Sequence, residues 1–223
     1  MKITLLHRWP TSVARAIALQ RELAQRVRIE PSSMQTPRLF AGVDAAFSRD
    51  GRFALAAAVL WDALESKPLY IGLGRAPLRF PYIPGLLSFR ELPAVLAALR
   101  KLPMTPDAVL CDAQGICHPR GIGLAAHLGL WLDLPTVGCA KSRLCGDAAE
   151  PPAHVGAAAP LMLHGEQVGV VLRTRRAVRP LFVSPGHRCD ISQSVAWTLA
   201  ACRGLRLPEP TRLAHHAVTR ARG

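Results

Sequence analysis

No apolar run in the sequence reaches the roughly 18 residues that a membrane-spanning helix requires, so membrane insertion is not expected. Acids are scarce: 15 Asp and Glu stand against 28 Lys and Arg, for a net charge of +13. That imbalance rules out an acidic surface and favours a polyanionic partner, since each neutralised phosphate releases a counterion. An arginine-rich composition without a partner is the plain alternative. Aromatics are equally few, with four Trp, two Tyr and six Phe, too few for a stacking platform of the single-strand-binding kind. None of the six cysteines (Cys111, Cys117, Cys139, Cys145, Cys189, Cys202) makes a CxxC pair. They lie mostly in apolar surroundings and read as reduced core thiols rather than a zinc site or a disulfide framework. Internal repeats and low-complexity tracts are absent. The opening residues, MKITLLHRWPTS, carry too short an apolar run for a secretory signal, and the expected location is cytoplasmic.

What is present is an ample core. Half of the 223 residues are hydrophobic, which suits one domain over residues 1–223, with an N-terminal helix at about 11–28 and a core from about 38 onward. Val13, Ala16, Leu19, Leu23 and Val27 recur at helical spacing, with Gln20 among the polar positions between them. A polar, proline-bearing linker at 30–38 precedes three strand-like runs, at 39–47, 53–61 and 68–73. Their short connections predict an antiparallel meander. Residues 80–85, FPYIPG, cannot be helix or central strand and form a stiff loop. The segment 86–102 is helical, with Ser88 and Glu91 spaced as a capping box. Pro93 then leaves two readings open, a later start or a kink. Residues 108–111, 123–132 and 136–139 spell strand–helix–strand, a parallel unit. Residues 147–159 read as an exposed excursion, 161–172 as a hairpin, and 181–183 as one more strand before a Pro185-Gly186 turn. A helix capped by Asp190 with Gln193 ends at Gly204, and Thr211 is the expected cap of a last helix. The predicted class is α/β, a mixed sheet flanked by helices, of the ribonuclease H-like kind.

Two acids sit in apolar strands. Burying an unpaired carboxylate costs several kcal/mol, so Asp44, within FAGVDAAF, and Asp112, after AVLC, each require a positive partner. An ion pair with a core arginine would meet that need; so would a metal. Glu91 adds a third acid after the stiff loop. If the first meander strand lies beside the first parallel strand, Asp44 and Asp112 become neighbours, and a hard divalent ion with oxygen ligands suits such a set. Lys141 and Arg143 follow a strand and either contact phosphate or are solvated. His118 and Arg120 offer a titratable ring and a cation in a loop. His127 reads as a packed core histidine, and His215 and His216, adjacent on a helix, as surface residues.

Long blocks of the sequence narrow the choice. AGVDAAF at 41–47, FPYIPGLLSFRE at 80–91, DAQGICHPRGIGLAAHLGLWLDLPTVGCAKSRLCG at 112–146, FVSPGH at 182–187 and RLPEPTRLAH at 206–215 resemble the endonuclease V family of inosine-directed repair nucleases. The blocks come in the family's order and cover nearly the whole chain. The resemblance implies a ribonuclease H-like fold and a Mg²⁺-dependent enzyme, with Mn²⁺ as a substitute. Such an enzyme recognises deoxyinosine and hydrolyses the second phosphodiester on its 3′ side, leaving 3′-hydroxyl and 5′-phosphate ends. By motif, Asp44, Glu91 and Asp112 would hold the metal, His215 would position the attacking water, and Lys141 would stabilise the phosphate. Tyr82, with Ile83 and Pro84, would be the wedge that separates strands. Gly85, Leu87, Ala113 and Gly138 would line the pocket for the flipped hypoxanthine. His118, Arg120, Ser142 and Arg143 are candidate phosphate contacts.

The sequence departs from the family pattern in three places. Ala113 stands where the family often has Gly, so its methyl either narrows the pocket or strains a turn that needs positive φ. Leu92 stands where a Gly commonly precedes the Pro, and Ala45-Ala46 replaces a more polar or β-branched pair. None removes an expected metal ligand. The resemblance leaves inosine-containing RNA as an alternative substrate, and a non-catalytic nucleic-acid-binding relative as a different class altogether. A monomer is the expectation.

Overall fold

The computed structural model describes residues 1 and 3–222; residues 2 and 223 of the expected domain lie outside the described residues. Three strands, β1 (Leu39–Phe47), β2 (Phe53–Asp62) and β3 (Lys67–Pro77), form the expected antiparallel meander. β4 (Ala108–Cys111) pairs parallel with β1, and β5 (Thr136–Ala140) pairs parallel with β4. The sheet returns to antiparallel pairing through β8 (Leu181–His187), β7 (Glu166–Leu172) and β6 (Ala158–Leu163). The spatial order is β3-β2-β1-β4-β5-β8-β7-β6.

Alternating side chains of the central strands feed two cores, as the two-residue period of a strand requires. Ala41, Val43, Val109 and Cys111 enter one, closed by α2 (Leu87–Leu99) and α3 (Leu124–Leu132). Phe40, Ala108 and Leu110 enter the other with Trp197 and Ala201 of α4 (Ile191–Cys202). α5 (Glu209–Ala221) packs Ala214 and Val218 against Ala57 and Val59 of β2. α1 (Val13–Ala24) lies outside, seating Leu23 on Ile122 and Ala126 and Ala16 on Phe80, Leu86 and Phe89.

Several local expectations are corrected. Ser88 and Glu91 do not make a capping box: α2 begins at Leu87 with no side-chain cap, and the Ser88 hydroxyl turns to the ring of His127 instead. Pro93 sits inside that helix. It removes one backbone donor, yet Leu92, Val95, Leu96 and Leu99 are fully or almost fully buried, and their packing carries the helix through. Thr211 is not the cap of α5; the helix starts two residues earlier, and the Thr211 hydroxyl donates to the Pro208 carbonyl at 2.8 Å. Pro185-Gly186 is not a turn. β8 runs through both to His187, and the register shift between Thr136 and Val137 accommodates the proline. Asp190 does cap α4 by accepting from the Gln193 amide at 2.7 Å. The Gln193 side chain, however, reaches across to Ser32. The six cysteines are unbridged, five of them buried.

One position on β1 governs where α5 lies. A Cβ built on Gly42 would stand 2.0 Å from the Pro210 carbonyl carbon and 2.3 Å from the Thr211 nitrogen. Only a glycine lets the start of α5 approach the strand so closely. Gly42→Ala is expected to push α5 off the sheet at a cost of about 1–3 kcal/mol. That corresponds to a thermal midpoint lowered by roughly 2–12 °C, measurable by calorimetry; an unchanged midpoint would mean that α5 is not anchored there.

Candidate active site

Parallel pairing puts Val43 opposite Cys111, so the next residues, Asp44 within β1 and Asp112 just past the end of β4, stand side by side where that parallel pairing ends. This is the carboxyl end of parallel strands, where α/β folds build their sites. The Asp112 amide donates to the Val43 carbonyl at 3.4 Å, tying the two strand ends together. Glu91 arrives from α2, whose opening turns cover the same end. The three carboxylates feel one another. Burial pushes Glu91 up to about 8, and the charges of Asp44 and Asp112 add to that rise while Arg90 opposes it. Asp44 is likewise raised, by burial first and then by Asp112, against the hydrogen bond from His215.

Two side chains engage these acids. The Lys141 ammonium, directly after β5, pairs with Asp112 Oδ2. His215 Nδ1 donates to Asp44 Oδ2 at 2.7 Å. His215 is exposed, as read from the sequence, yet it also engages Asp44; His216 is exposed, with its ring edge-on to that of His215. Among the described residues no three Asp, Glu, His or Cys side chains converge into a ready metal cage; Asp112 is paired with Lys141 and Asp44 with His215. The donor set still fits a hard divalent cation. It is all carboxylate, buried and self-repelling, and a cation of that charge relieves the repulsion that raises Glu91 and Asp44.

Beside the acids opens a cavity of about 420 Å³, within the usual size of ligand pockets. Tyr82, Ile83, Pro84, Gly85 and Leu87 form one wall and Ala113, Ser142 and Arg143 the other, with Asp112 and Lys141 at the margin. Tyr82 is 68% exposed at the rim. Ala113 is not among the residues with positive φ, so its methyl does not strain the turn; it projects from the cavity wall. Leu92 packs in the principal core.

Gly138 does not line the cavity. A Cβ there would lie 2.4 Å from the Gly115 nitrogen and 2.6 Å from the Ala113 carbonyl oxygen, so Gly138 lets the Asp112–Gly115 turn rest on β5. His118 and Arg120 are also placed differently from expectation. His118 is 3% exposed; its Nε2 donates to the Gly85 carbonyl at 3.0 Å, and its Nδ1 accepts from the Arg120 amide at 3.1 Å. The Arg120 guanidinium donates to the same Gly85 carbonyl at 2.7 Å. Both residues brace the loop that carries Tyr82, and His118 also lines the cavity.

Gln20, Gln114 and Arg206 are the site residues that the sequence did not single out. Gln20, taken as a polar-face residue of α1, is 1% exposed. It donates to the Gly85 carbonyl at 3.0 Å and accepts from Arg120 at 2.6 Å. Its spacing from Ala16 and Leu23 was the available signal, since all three fall on one helical stripe. Gln114 donates to the Ser142 carbonyl at 2.8 Å, linking the Asp112 turn to the Lys141 loop. Arg206 donates to the Lys141 carbonyl at 3.0 Å. No local pattern signalled either contact, because each joins segments distant in sequence.

A chain of neutral histidines supports α2 from behind. A carbonyl can only accept, so the 2.9 Å contact with Arg8 O makes His7 Nδ1 a donor. His7 Nε2 therefore accepts from His127 Nε2 at 2.7 Å, and His127 Nδ1 accepts from the Ser88 hydroxyl at 3.0 Å. Burial lowers the pKa of His127 and of His7, and it lowers that of His118 to about 4, with Arg120 adding to the last shift. A histidine held below its unfolded value of 6.5 leaves the unfolded chain binding more protons between 6.5 and about 4. Its contribution to stability is therefore complete above 6.5 and declines as pH falls toward 4. Glu91, raised instead, acts in the opposite sense above its ordinary value. The histidine contribution is thus read as a difference: urea midpoints of His118→Asn should fall less steeply than wild type from pH 7 to 4, by roughly 3 kcal/mol over that range. Parallel curves would show that His118 charges freely in the folded protein.

Comparison with known proteins is consistent over most of the chain. A family model described as Endonuclease V matches residues 21–216. An endonuclease V of Xanthomonas axonopodis pv. citri is 50% identical over 212 residues, covering 95% of this chain and 90% of the relative. The crystal structure of endonuclease V from Streptomyces avermitilis superposes with a TM-score of 0.91 at 42% identity, covering 96% of this chain and 94% of that one. Endonuclease V of Ciona intestinalis, solved with a 24-mer DNA containing an inosine followed by a ribo-adenosine, shares the fold. Its TM-score is 0.80 at 23% identity, covering 94% of this chain and 97% of that one.

Proposed function

Because the chain belongs to the endonuclease V family, we propose that it is an inosine-directed nuclease. In this reading it hydrolyses the second phosphodiester 3′ to deoxyinosine and leaves 3′-hydroxyl and 5′-phosphate ends. One observation carries the reading: three mutually repelling carboxylates stand together, and one of them, Asp112, borders with Lys141 a cavity that has an exposed tyrosine in its wall. The inosine-containing DNA held by the Ciona relative supports the choice of substrate.

Asp44, Glu91 and Asp112 would hold Mg²⁺, or Mn²⁺ in its place. Such a cation supplies Lewis-acid stabilisation of phosphate charge and makes water more acidic. The remaining chemistry belongs to the chain. His215, oriented by Asp44 through Nδ1, turns its Nε2 to the attacking water. Lys141, released from Asp112, faces the charge that develops on the phosphate. Tyr82 enters the stack at the lesion, and the extruded hypoxanthine meets the walls at Gly85, Leu87 and Ala113. Hypoxanthine lacks the 2-amino group of guanine, and the Ala113 methyl narrows the space such a group would need. Gln20, His118 and Arg120 hold the Gly85 carbonyl so that this wall does not give way.

The test pairs purified protein and Mg²⁺ with matched DNA and RNA oligomers, each bearing one inosine. Nicking at the second phosphodiester 3′ to the inosine in DNA is expected. Binding without nicking of either oligomer would sink the proposal, and nicking of RNA alone would move it to that substrate. Asp112→Ala should lower the rate by about 100-fold or more, and undiminished nicking would remove Asp112 from the site. Tyr82→Ala should slow cleavage of duplex more than of single strands. Equal losses on the two would count against a wedge.

A further inference from the structure

A groove next to the catalytic cavity is used by the chemistry above only at Lys141. It shares Lys141, Ser142 and Arg143 with the cavity and continues past Glu150, Arg173, Val178 and Arg179, enclosing about 600 Å³. The β7–β8 connection, residues 173–180, lines it with Arg179 and carries two further exposed arginines, Arg175 and Arg176, outside the groove lining. None of the three has a carboxylate partner among the described residues. The nearby acids are already engaged: Glu150 pairs with Arg173 at 2.6 Å and Asp147 with Arg143 at 3.6 Å.

Two further arginines hold this loop in place. Arg173, buried, donates to the carbonyls of Pro151, Pro152 and Val178 and to Glu150, fastening both ends of the loop to the 150–152 segment. Arg206 donates to the carbonyls of Arg179 and Pro180 at 2.8 and 3.2 Å and to that of Lys141 at 3.0 Å. One guanidinium thus ties the backbone of the candidate catalytic lysine to the backbone of the arginine loop. A loop that were merely solvated would need no such fastening. Like charges crowded on a pinned loop repel, and that cost is offset when an anion is present.

We propose that Arg175, Arg176 and Arg179 form a phosphate-binding tract for the nucleic-acid strand flanking the lesion, kept in register with Lys141 by Arg206. The partner is a polynucleotide backbone, because successive phosphates are the anion that an extended arginine row beside a base-sized cavity can follow. The tract contacts no base, so it adds affinity without sequence preference. The proposal rests on the nuclease reading above, and its test is arranged so that the two fail separately.

Arg175→Ala/Arg176→Ala/Arg179→Ala is compared with wild type, and with a charge-matched control, Lys67→Ala/Arg100→Ala/Lys101→Ala. The control residues are exposed and lie at the start of β3 and just beyond α2, at the end of the sheet away from the acids. Fluorescence anisotropy in EDTA, across a salt series, follows binding of an inosine core, of the same core extended on its 5′ side, on its 3′ side or on both, and of inosine-free counterparts. The tract variant should bind the bare core like wild type. It should lose on the order of tenfold in affinity on one of the two extensions, with the plot of log Kd against log salt shallower by about 2–3. The control should keep the wild-type slope. An unchanged slope on every extended oligomer would overturn the proposal, as would a loss equal on core and extended oligomers or equal in the control. The nuclease reading is judged apart, by nicking of the same oligomers once Mg²⁺ is added. An Arg206→Lys variant supplies a second readout: with bidentate reach lost, kcat should fall on extended and bare cores alike while the salt slope stays near wild type. A kcat equal to wild type would remove Arg206 as the link between tract and lysine.

Discussion

Three carboxylates share one end of the sheet, and their repulsion is the constraint to which the surrounding structure answers. Left alone, Asp44, Glu91 and Asp112 would each favour solvent or a proton. The fold meets two of them with nitrogen partners, His215 from α5 and Lys141 after β5. It leaves the third, Glu91, raised to about 8, by burial first. Each partner is in turn fixed by packing. α5 reaches Asp44 only because Gly42 lets its first residues touch β1, and the Lys141 backbone is held by Arg206. Disturbing a glycine or an arginine that never touches substrate therefore reaches the site through these contacts.

The cavity follows the same logic at the level of the backbone. Three donors from two segments, Gln20 on α1 and His118 with Arg120 on one loop, converge on one carbonyl, that of Gly85, so the loop bearing Tyr82 is braced although Tyr82 is exposed. On the opposite wall, Gly138 allows the Asp112 turn to lie flat on β5, and Gln114 links that turn to the Lys141 loop. A rigid wall makes small differences in base shape costly, since a group that does not fit meets atoms that cannot retreat. The Ala113 methyl, accommodated without strain, sharpens that wall.

Charge is distributed with a similar division between anchoring and display. Arg173, Arg206 and Arg120 donate chiefly to carbonyl oxygens, which suits the planar guanidinium fork; of the three, Arg173 also pairs with a carboxylate, Glu150. Arg175, Arg176 and Arg179 are displayed on the loop so anchored. The excess of base over acid thus has a structural share and a share facing solvent.

By itself the sequence determined the order and type of the elements, because the periods of the apolar residues were unbroken in the meander, in the strand–helix–strand unit and in the hairpin. It also marked Asp44 and Asp112, since a lone acid within or just after an apolar strand is costly without a partner, and its long motifs carried the family. Tertiary structure decided the rest. Ser88 looked like a cap and became a partner of His127; Pro93 looked like a break and was carried through by the packing of its neighbours. Pro185-Gly186 looked like a turn and became a strand at a register shift. His118 and Arg120 were found bracing the Gly85 carbonyl, a contact no local pattern signalled, while His215, unremarkable on its helix, came to rest on Asp44. In each case a long-range contact outweighed a local preference, and a local pattern does not encode which distant atom will arrive.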